Sequence, residues 1–181
     1  DTVSANYMSA IVNDADVYII AVADDAIDEV VTDLRLPGKI AAHTAASVSK
    51  DVLKYVTEHY GVFYPLQSLR KEMTALPDVP VFIEGSDDKT KKILEKLAHS
   101  ISEEKVTVAK GDERMKLHVA AVVVSNFTNY LYKLAQEYCT KEGIDFNSLL
   151  PLIEETAGRL KNISAAASQT GPAIRDDKET I

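Results

Sequence analysis

Residues 15–27 constrain the fold of this chain more than any other segment. Residues 17–23 are β-branched or apolar apart from one tyrosine and carry no charge, and Asp24 and Asp25 follow them directly. A strand that is apolar on both faces must be covered by helices on both sides, which is typical of a parallel α/β sheet. Because the carboxyl ends of such strands form the ligand crevice, we predict that residues 22–25 line a binding site.

Strand-like and helix-like patterns alternate along the first part of the chain. Further short strands are predicted at 39–43, 61–64, 81–84 and 105–109, and helices at 24–34, 49–59 and 87–102. An alternation of this kind is typical of an α/β domain that is built around one sheet.

Only helical patterns follow residue 110. One long helix is predicted over 112–141, where Gly143 ends it, and a further helix comes after it. The sequence therefore predicts an α/β domain over 1–110 and an all-α domain over 111–181.

The glycine-rich turn that holds the pyrophosphate in dinucleotide-binding folds is absent from this sequence. The chain has seven glycines, and no two of them have the spacing of that turn. Either the protein binds no dinucleotide, or the sequence begins partway through the domain. The start at Asp1 rather than at a methionine favours the second interpretation, which predicts an incomplete parallel sheet.

Composition narrows the function classes. The net charge of −8 argues against nucleic-acid binding, which needs clustered Lys and Arg. No apolar run approaches the roughly 18 residues of a membrane span, and no signal peptide is visible. The single cysteine, Cys139, can form no internal disulfide, so we read it as a structural residue in a reducing, cytoplasmic compartment. We expect no metal site.

Five segments occur in an order that resembles a known family. They are ADVYIIAVADDAI (15–27), HTAAS (43–47), GVFYPLQ (61–67), LHVAAVVVSNFTN (117–129) and QTGPAIRD (169–176). They resemble an uncharacterised bacterial family of predicted oxidoreductases, which joins a Rossmann-like NAD(P)-binding domain to a helical domain of unknown function. That family looks like a relative of pyrroline-5-carboxylate reductase, deazaflavin-dependent NADP reductase and the β-hydroxyacid dehydrogenases. Its members carry further N-terminal residues with the glycine loop.

The resemblance implies a function and an assembly. It implies that NADP or NAD binds, that a small carbonyl or imine metabolite is the substrate, and that the helical domain forms a homodimer. Two other classes stay open at this point: a nucleotide- or metabolite-binding regulator without turnover, and an interaction module that only dimerises.

The end of the first strand is the first candidate for cofactor contact. In the related enzymes the backbone after this strand passes over the ribose and nicotinamide, which assigns Val22, Ala23 and Asp24 to cofactor binding. The small Ala23 would let a ligand approach the backbone. Helix capping by Asp24 or Asp25 is a compatible alternative.

The end of the second strand faces the same crevice. His43, Thr44 and Ser47 offer an imidazole and two hydroxyls that could bind a carboxamide or a carbonyl of the ligand. The alternative is that Thr44 or Ser47 caps the following helix and that His43 is a core histidine with satisfied hydrogen bonds.

The third strand ends in two candidate substrate ligands. Tyr64 could present its phenol to the cleft and Gln67 its amide. The alternative for Tyr64 is simple packing at a seam between domains.

Polar residues of the long helix form a stripe. His118, Ser125 and Asn129 are spaced by seven and four residues, so on a regular helix they lie within about 40° of one another. In the β-hydroxyacid dehydrogenases the corresponding helix supplies a Lys and an Asn, but that spacing is absent at Lys116. The resemblance implies His118 as proton donor, with Asn126 or Asn129 beside it and Ser125 on the substrate. A histidine bonded across an interface is the alternative.

The last motif is a candidate anion site. The turn at 171–172 can open a short helix, whose N-terminus attracts anions, and Arg175 would add a bidentate fork. We therefore assign Gln169, Thr170 and Arg175 to a substrate carboxylate or phosphate, with a structural Arg175–Asp176 pair as the alternative.

Overall fold

The computed structural model describes residues 3–6, 10–70, 72–73, 78–102, 106–171 and 174. The chain divides into two compact units, Asp1–Val124 and Ser125–Ile181. The first unit is an α/β structure and the second is helical, which confirms the predicted fold class. The domain bounds of 1–110 and 111–181 stay a prediction.

A five-stranded sheet forms the centre of the first unit. Its strands are β1 (Val17–Ile20), β2 (Ile40–His43), β3 (His59–Pro65), β4 (Val81–Gly85) and β5 (Val106–Val108), in the spatial order β1-β2-β3-β4-β5. β1, β2 and β3 run parallel, β4 is antiparallel to β3, and β5 is parallel to β4. The sheet is therefore mixed, whereas the sequence predicted a parallel one.

The antiparallel step has a local cause. The chain that leaves β3 returns at the same edge of the sheet, where the Leu66 N–H donates to the Pro80 carbonyl at 2.8 Å. Pro65 then lies opposite Val81. A parallel β4 would need a crossover to the opposite end of the sheet, whereas β4 begins beside the residue at which β3 ends.

Helices cover both faces of the sheet. Helix α2 (Asp88–His99) packs Leu94 and Ala98 against β2, β3 and β4 on one face. The other face carries a cluster around Leu34 and Leu53, from the ends of α1 (Ile27–Asp33) and of a 3-10 turn, Lys50–Leu53. This turn occupies the region where the sequence predicted a helix over 49–59.

The predicted long helix is not regular. Helix α3 (Gly111–Val122) begins after β5, and the carboxylate of Glu113 accepts from the Lys110 N–H at 2.8 Å. A π-helical turn, Val123–Phe127, separates α3 from α4 (Thr128–Glu142). A π turn holds more residues per turn than an α-helix, so the even 100° spacing assumed for the polar stripe does not hold across it.

The second unit is built from short helices. α4 ends at Gly143, which has the left-handed φ of 70° that favours glycine, as predicted. Asp145 caps a 3-10 turn, Phe146–Leu149, which leads into α5 (Leu150–Arg159), and α6 (Ala165–Ser168) follows. Within the described part of the chain, no helix has the length and apolar character needed to span a membrane.

Candidate functional site

The carboxyl ends of β1, β2 and β3 lie side by side. Ile20 is in register with His43, and His43 with Val62. Opposite residues in a sheet point to the same face, so Glu84, which lies opposite Val62, shares that face. Tyr64 is two residues further along β3 and therefore points to this face as well.

The segment after β1 is open to solvent. Residues 21–25 are exposed, and Val22 keeps 40% of its surface accessible. The Asp24 carboxylate accepts a hydrogen bond from the Ser47 hydroxyl at 2.6 Å. This bond joins the ends of β1 and β2, and so the structure brings together two residues that the sequence assigned to the cofactor.

The predicted helix caps at these strand ends are wrong. The 3-10 turn Asp24–Ala26 and helix α1 both begin without a side-chain cap, because the Asp24 carboxylate is turned toward Ser47. Ser49, rather than Thr44 or Ser47, caps the next turn by accepting from the Asp51 N–H at 3.2 Å.

His43 is fully buried, and the backbone engages both of its ring nitrogens. The Ala45 N–H donates to Nδ1 at 3.2 Å, so Nε2 carries the proton and donates to the Ser49 carbonyl at 3.3 Å. Burial lowers the pKa of His43, which favours the neutral ring. The Thr44 N–H donates to the Ile20 carbonyl at 3.2 Å. His43 therefore stabilises the conformation of the loop at 44–50 by binding the Ser49 carbonyl.

Tyr64 and His118 meet at this edge of the sheet. The Tyr64 hydroxyl lies 3.2 Å from Nδ1 of His118, and the two rings pack edge to face with centroids 6.3 Å apart. Phe82 lies opposite Tyr64 in β4, and the centroids of their two rings are 6.4 Å apart. Burial, and then the negative charge of Asp24, raise the pKa of Tyr64, so the phenol stays protonated at neutral pH.

The remaining predicted residues lie after β3 and in the second unit. Gln67 is exposed, and its carbonyl oxygen accepts from the neighbouring Ser68 N–H at 2.9 Å. Ser125 and Asn126 lie in the π-helical turn and Asn129 in α4, all three exposed and in the second unit.

The C-terminal motif is described only in part. Gln169 and Thr170 are exposed, and the Gln169 amide reaches the Thr170 carbonyl at 3.5 Å. Arg175, Asp176 and the proline of the predicted turn lie outside the described residues. The assignment of this motif to an anion therefore stays a prediction.

A charged cluster that the sequence analysis missed lies beside the Tyr64–His118 pair. The guanidinium of Arg114, in α3, is fully buried and binds the carboxylate of Glu84, which Lys50 also binds at 2.9 Å. The sequence held a signal for this cluster. Arg114 is one helical turn before His118, and Glu84 is two residues after Phe82 in β4, so each charged residue shares a face with a residue of the site. Among the described residues, no group of His, Cys, Asp and Glu is arranged to hold a metal ion.

The chain is similar to a protein family and to several solved structures. The model of a family that is defined as a domain of unknown function, DUF2520, matches residues 79–181. A crystal structure from Bacteroides fragilis, of a protein provisionally named an NADP oxidoreductase, is 34% identical. The superposition has a TM-score of 0.84 and covers 97% of this chain and 69% of the Bacteroides fragilis chain. No curated protein matches the chain.

Two further solved structures share the fold. A Thermotoga maritima protein is 27% identical, with a TM-score of 0.79 over 92% of this chain and 67% of its own. A 1-pyrroline-5-carboxylate reductase from Streptococcus pyogenes is 15% identical, with a TM-score of 0.60 over 89% of this chain and 61% of its own. The fold is Rossmann-like, with a helical C-terminal region.

Proposed function

Because this chain belongs to the family of the domain of unknown function DUF2520, we propose that it acts in an NADP- or NAD-dependent oxidoreductase. Its substrate is a small carbonyl or imine metabolite. The observation that carries this proposal is the hydrogen bond between Tyr64 and His118 at the carboxyl edge of the sheet. The name of the 34%-identical Bacteroides fragilis protein supports NADP as the cofactor.

The open segment after β1 fits a cofactor. Val22 and Ala23 are exposed and small enough for a ligand to approach the backbone, and Asp24 and Ser47 hold the two strand ends together. Thr44 completes this side of the crevice, where ligands of open α/β sheets bind. When bound there, a nicotinamide dinucleotide supplies or accepts the hydride.

His118 supplies the proton in this proposal. The protonated Tyr64 phenol donates to Nδ1, which leaves the imidazole proton on Nε2. The ring takes up a second proton from solvent at Nδ1, and the Tyr64 oxygen then accepts from it. The resulting imidazolium passes the Nε2 proton to the oxygen or nitrogen of the substrate as the carbon is reduced, and the neutral ring takes the proton back in the reverse direction. Tyr64 acts through His118 and is therefore a positioning residue. Gln67 keeps its proposed role as a substrate ligand.

Residues of the second unit complete the proposal. Asn126 and Asn129 stay proposed as catalytic residues that act with His118, and Ser125 as a substrate ligand. Ser125 and Asn126 lie in a π-helical turn, a distortion that is frequent at functional sites. Gln169 and Thr170 keep their assignment to a substrate anion. The protein is proposed to work in the cytoplasm.

A homodimer through the helical region belongs to the same proposal. Helix α4 and its N-cap expose large apolar side chains at helical spacing: Phe127, Tyr130, Leu131, Leu134 and Tyr138. Such a face is stabilised when a second copy covers it. Sedimentation of the intact protein should show a dimer, and Leu131→Lys should shift it toward the monomer. A monomeric unsubstituted protein would contradict this part.

The experiment that tests the function uses the intact protein. NADPH and NADH binding are measured by calorimetry, and turnover by the loss of nicotinamide absorbance with a panel of carbonyl and imine compounds. His118→Ala should lower kcat by about a hundredfold and leave the cofactor Kd unchanged. His99→Ala, at an exposed histidine of α2, is the control. Unchanged turnover in His118→Ala would remove its role, and cofactor binding without any turnover would favour a regulator.

A further inference from the structure

We infer that Arg114 and Glu84 form a positioning pair that joins α3 to the loop at 44–50 and so couples the cofactor side of the crevice to His118. This inference rests on the proposed function. The pair itself is a partly buried contact between helix α3 and strand β4, whose partners are 30 residues apart in the sequence.

Arg114 binds groups from three different elements. Its Nη1 donates to the Glu84 carboxylate and to the Ala109 carbonyl at 3.3 Å, and its Nη2 donates to the Val48 carbonyl at 3.1 Å. One guanidinium therefore ties the start of α3 to β4, to the end of β5 and to the loop after β2. The planar fork of arginine suits this task, because its donors leave in fixed directions.

The loop at 44–50 is held by residues of the site. Ser47 donates to Asp24, the Ser49 carbonyl accepts from His43, and the Val48 carbonyl accepts from Arg114. Lys50 completes the set by binding the other carboxylate oxygen of Glu84, and this hydrogen bond raises the pKa of Lys50. A shift of the guanidinium would therefore move the loop that carries Thr44 and Ser47.

Helix α3 places Arg114 directly beside His118. Arg114 and His118 are four residues apart in α3, so they lie one above the other on the same face. Arg114 is anchored on Glu84, and His118 contacts Tyr64, on the face of the sheet that Glu84 shares. The anchor thus sets the rotation and the height of α3 at the turn where His118 approaches the phenol.

This pair is an inefficient way to stabilise a core. Nε of Arg114 is buried and has no hydrogen-bond partner in the described structure, which costs about 1–3 kcal/mol. A buried ion pair is also often no more stabilising than apolar side chains of the same volume. Its geometric specificity, rather than its stability, therefore accounts best for its presence.

The test compares two folded variants of the intact protein, Arg114→Lys and Glu84→Gln, after circular dichroism has established that each one folds. The first readout is the pair of His118 ring ¹⁵N shifts, which report the tautomer and need no substrate. The second is the division of the effect between kcat and the dinucleotide Kd. Arg35→Lys is the matched control, since Arg35 binds the carbonyls of Thr32 and Leu34 at the end of α1.

We expect both variants to move the His118 ¹⁵N shifts, to lower kcat by about tenfold to a hundredfold and to raise the dinucleotide Kd. Arg35→Lys should change none of these. A purely structural pair would lower the melting temperature alone. If either folded variant has the same His118 ¹⁵N shifts and the same kcat as the unsubstituted protein, the inference is overturned.

Two further results separate this inference from the proposed function. If the unsubstituted protein has no turnover, the proposed function fails, and the His118 ¹⁵N shifts still decide whether the pair positions that ring. If neither variant folds, hydrogen exchange of the Arg114 guanidinium in the unsubstituted protein tests whether Arg114 is a fixed anchor. Slow exchange supports a fixed anchor, and exchange as fast as that of an exposed arginine contradicts it.

Discussion

The hydroxyl of Tyr64 lies 3.2 Å from Nδ1 of His118, although 54 residues separate the two in the sequence. Tyr64 is near the end of β3, and His118 is in the second turn of α3. Burial raises the pKa of Tyr64, so the phenol keeps its proton at neutral pH and can donate it to Nδ1, which would leave the imidazole proton on Nε2.

This relationship makes Tyr64→Phe a direct test. The change removes one orienting hydrogen bond and keeps the ring, so kcat should fall about tenfold, which corresponds to ~1.4 kcal/mol, with an unchanged dinucleotide Kd. Steady-state kinetics and calorimetry measure the two quantities. Tyr60→Phe is the control, because Tyr60 is in the same strand and bonds to Asp51 instead. A variant as active as the unsubstituted protein would show that the phenol does not orient His118.

The bond between Ser47 and Asp24 predicts an effect on cofactor binding. Ser47→Ala removes a donor from a carboxylate at 2.6 Å, and so frees the loop after β2 from the end of β1. The dinucleotide Kd should rise roughly tenfold, with a small change in kcat. Calorimetric titration measures the Kd. Ser100→Ala, at the end of α2, should leave it unchanged, and equal values for the two variants would argue against a role for this bond.

Asp87 predicts a dependence of stability on pH. Its carboxylate accepts from His59 at 2.8 Å and from the Thr90 N–H, and the hydrogen bond with His59 is the main cause that lowers its pKa. A carboxyl whose pKa is lowered in the folded state stabilises the fold above its unfolded pKa of ~4, and this contribution is lost as the pH falls through the folded value.

Asp87→Asn should therefore unfold more easily than the unsubstituted protein at pH 7, and the difference should shrink below about pH 4. The effect at pH 7 is at most about 1 kcal/mol, because the side chain is 35% exposed. Urea unfolding at a series of pH values measures it. Asp88→Asn, at the exposed neighbouring residue, is the comparison, and a pH-independent difference for Asp87→Asn would refute the linkage.

Gly61 allows β3 and β4 to approach. A Cβ at Gly61 would overlap the Glu84 carbonyl and lie 2.8 Å from Cδ1 of Leu94. Gly61→Ala should lower the free energy of unfolding by about 2 kcal/mol or more and displace the strand that carries Glu84.

Gly158→Ala is the opposite case, because no described atom outside the adjoining residues and the backbone of the same helix lies within 4 Å of the added methyl group in α5. It should stabilise the protein by up to ~1 kcal/mol, since alanine favours the helix. Thermal and urea unfolding measure both variants. A stable Gly61→Ala protein would mean that the two strands can separate without cost.

Local patterns were sufficient for the elements. The apolar run before Asp24, the Pro65 stop and the left-handed Gly143 are properties of a few neighbouring residues, so the five strands and most helices were predictable to within a few residues. The segment after Ser49 was predicted as a helix and is a short 3-10 turn, because its apolar residues pack into a cluster with Leu34.

The sequence by itself determined the α/β class, the helical C-terminal region and the strand ends at which Asp24, Ser47 and Tyr64 lie, because periodicity and turn residues act locally. The tertiary structure decided the antiparallel direction of β4, the π-helical turn and the pairing of Arg114 with Glu84. These features depend on contacts between residues far apart in the chain, and neither propensity nor periodicity encodes such contacts. The Tyr64–His118 contact belongs to both: the sequence proposed each residue, and only packing of α3 on the sheet brought them together.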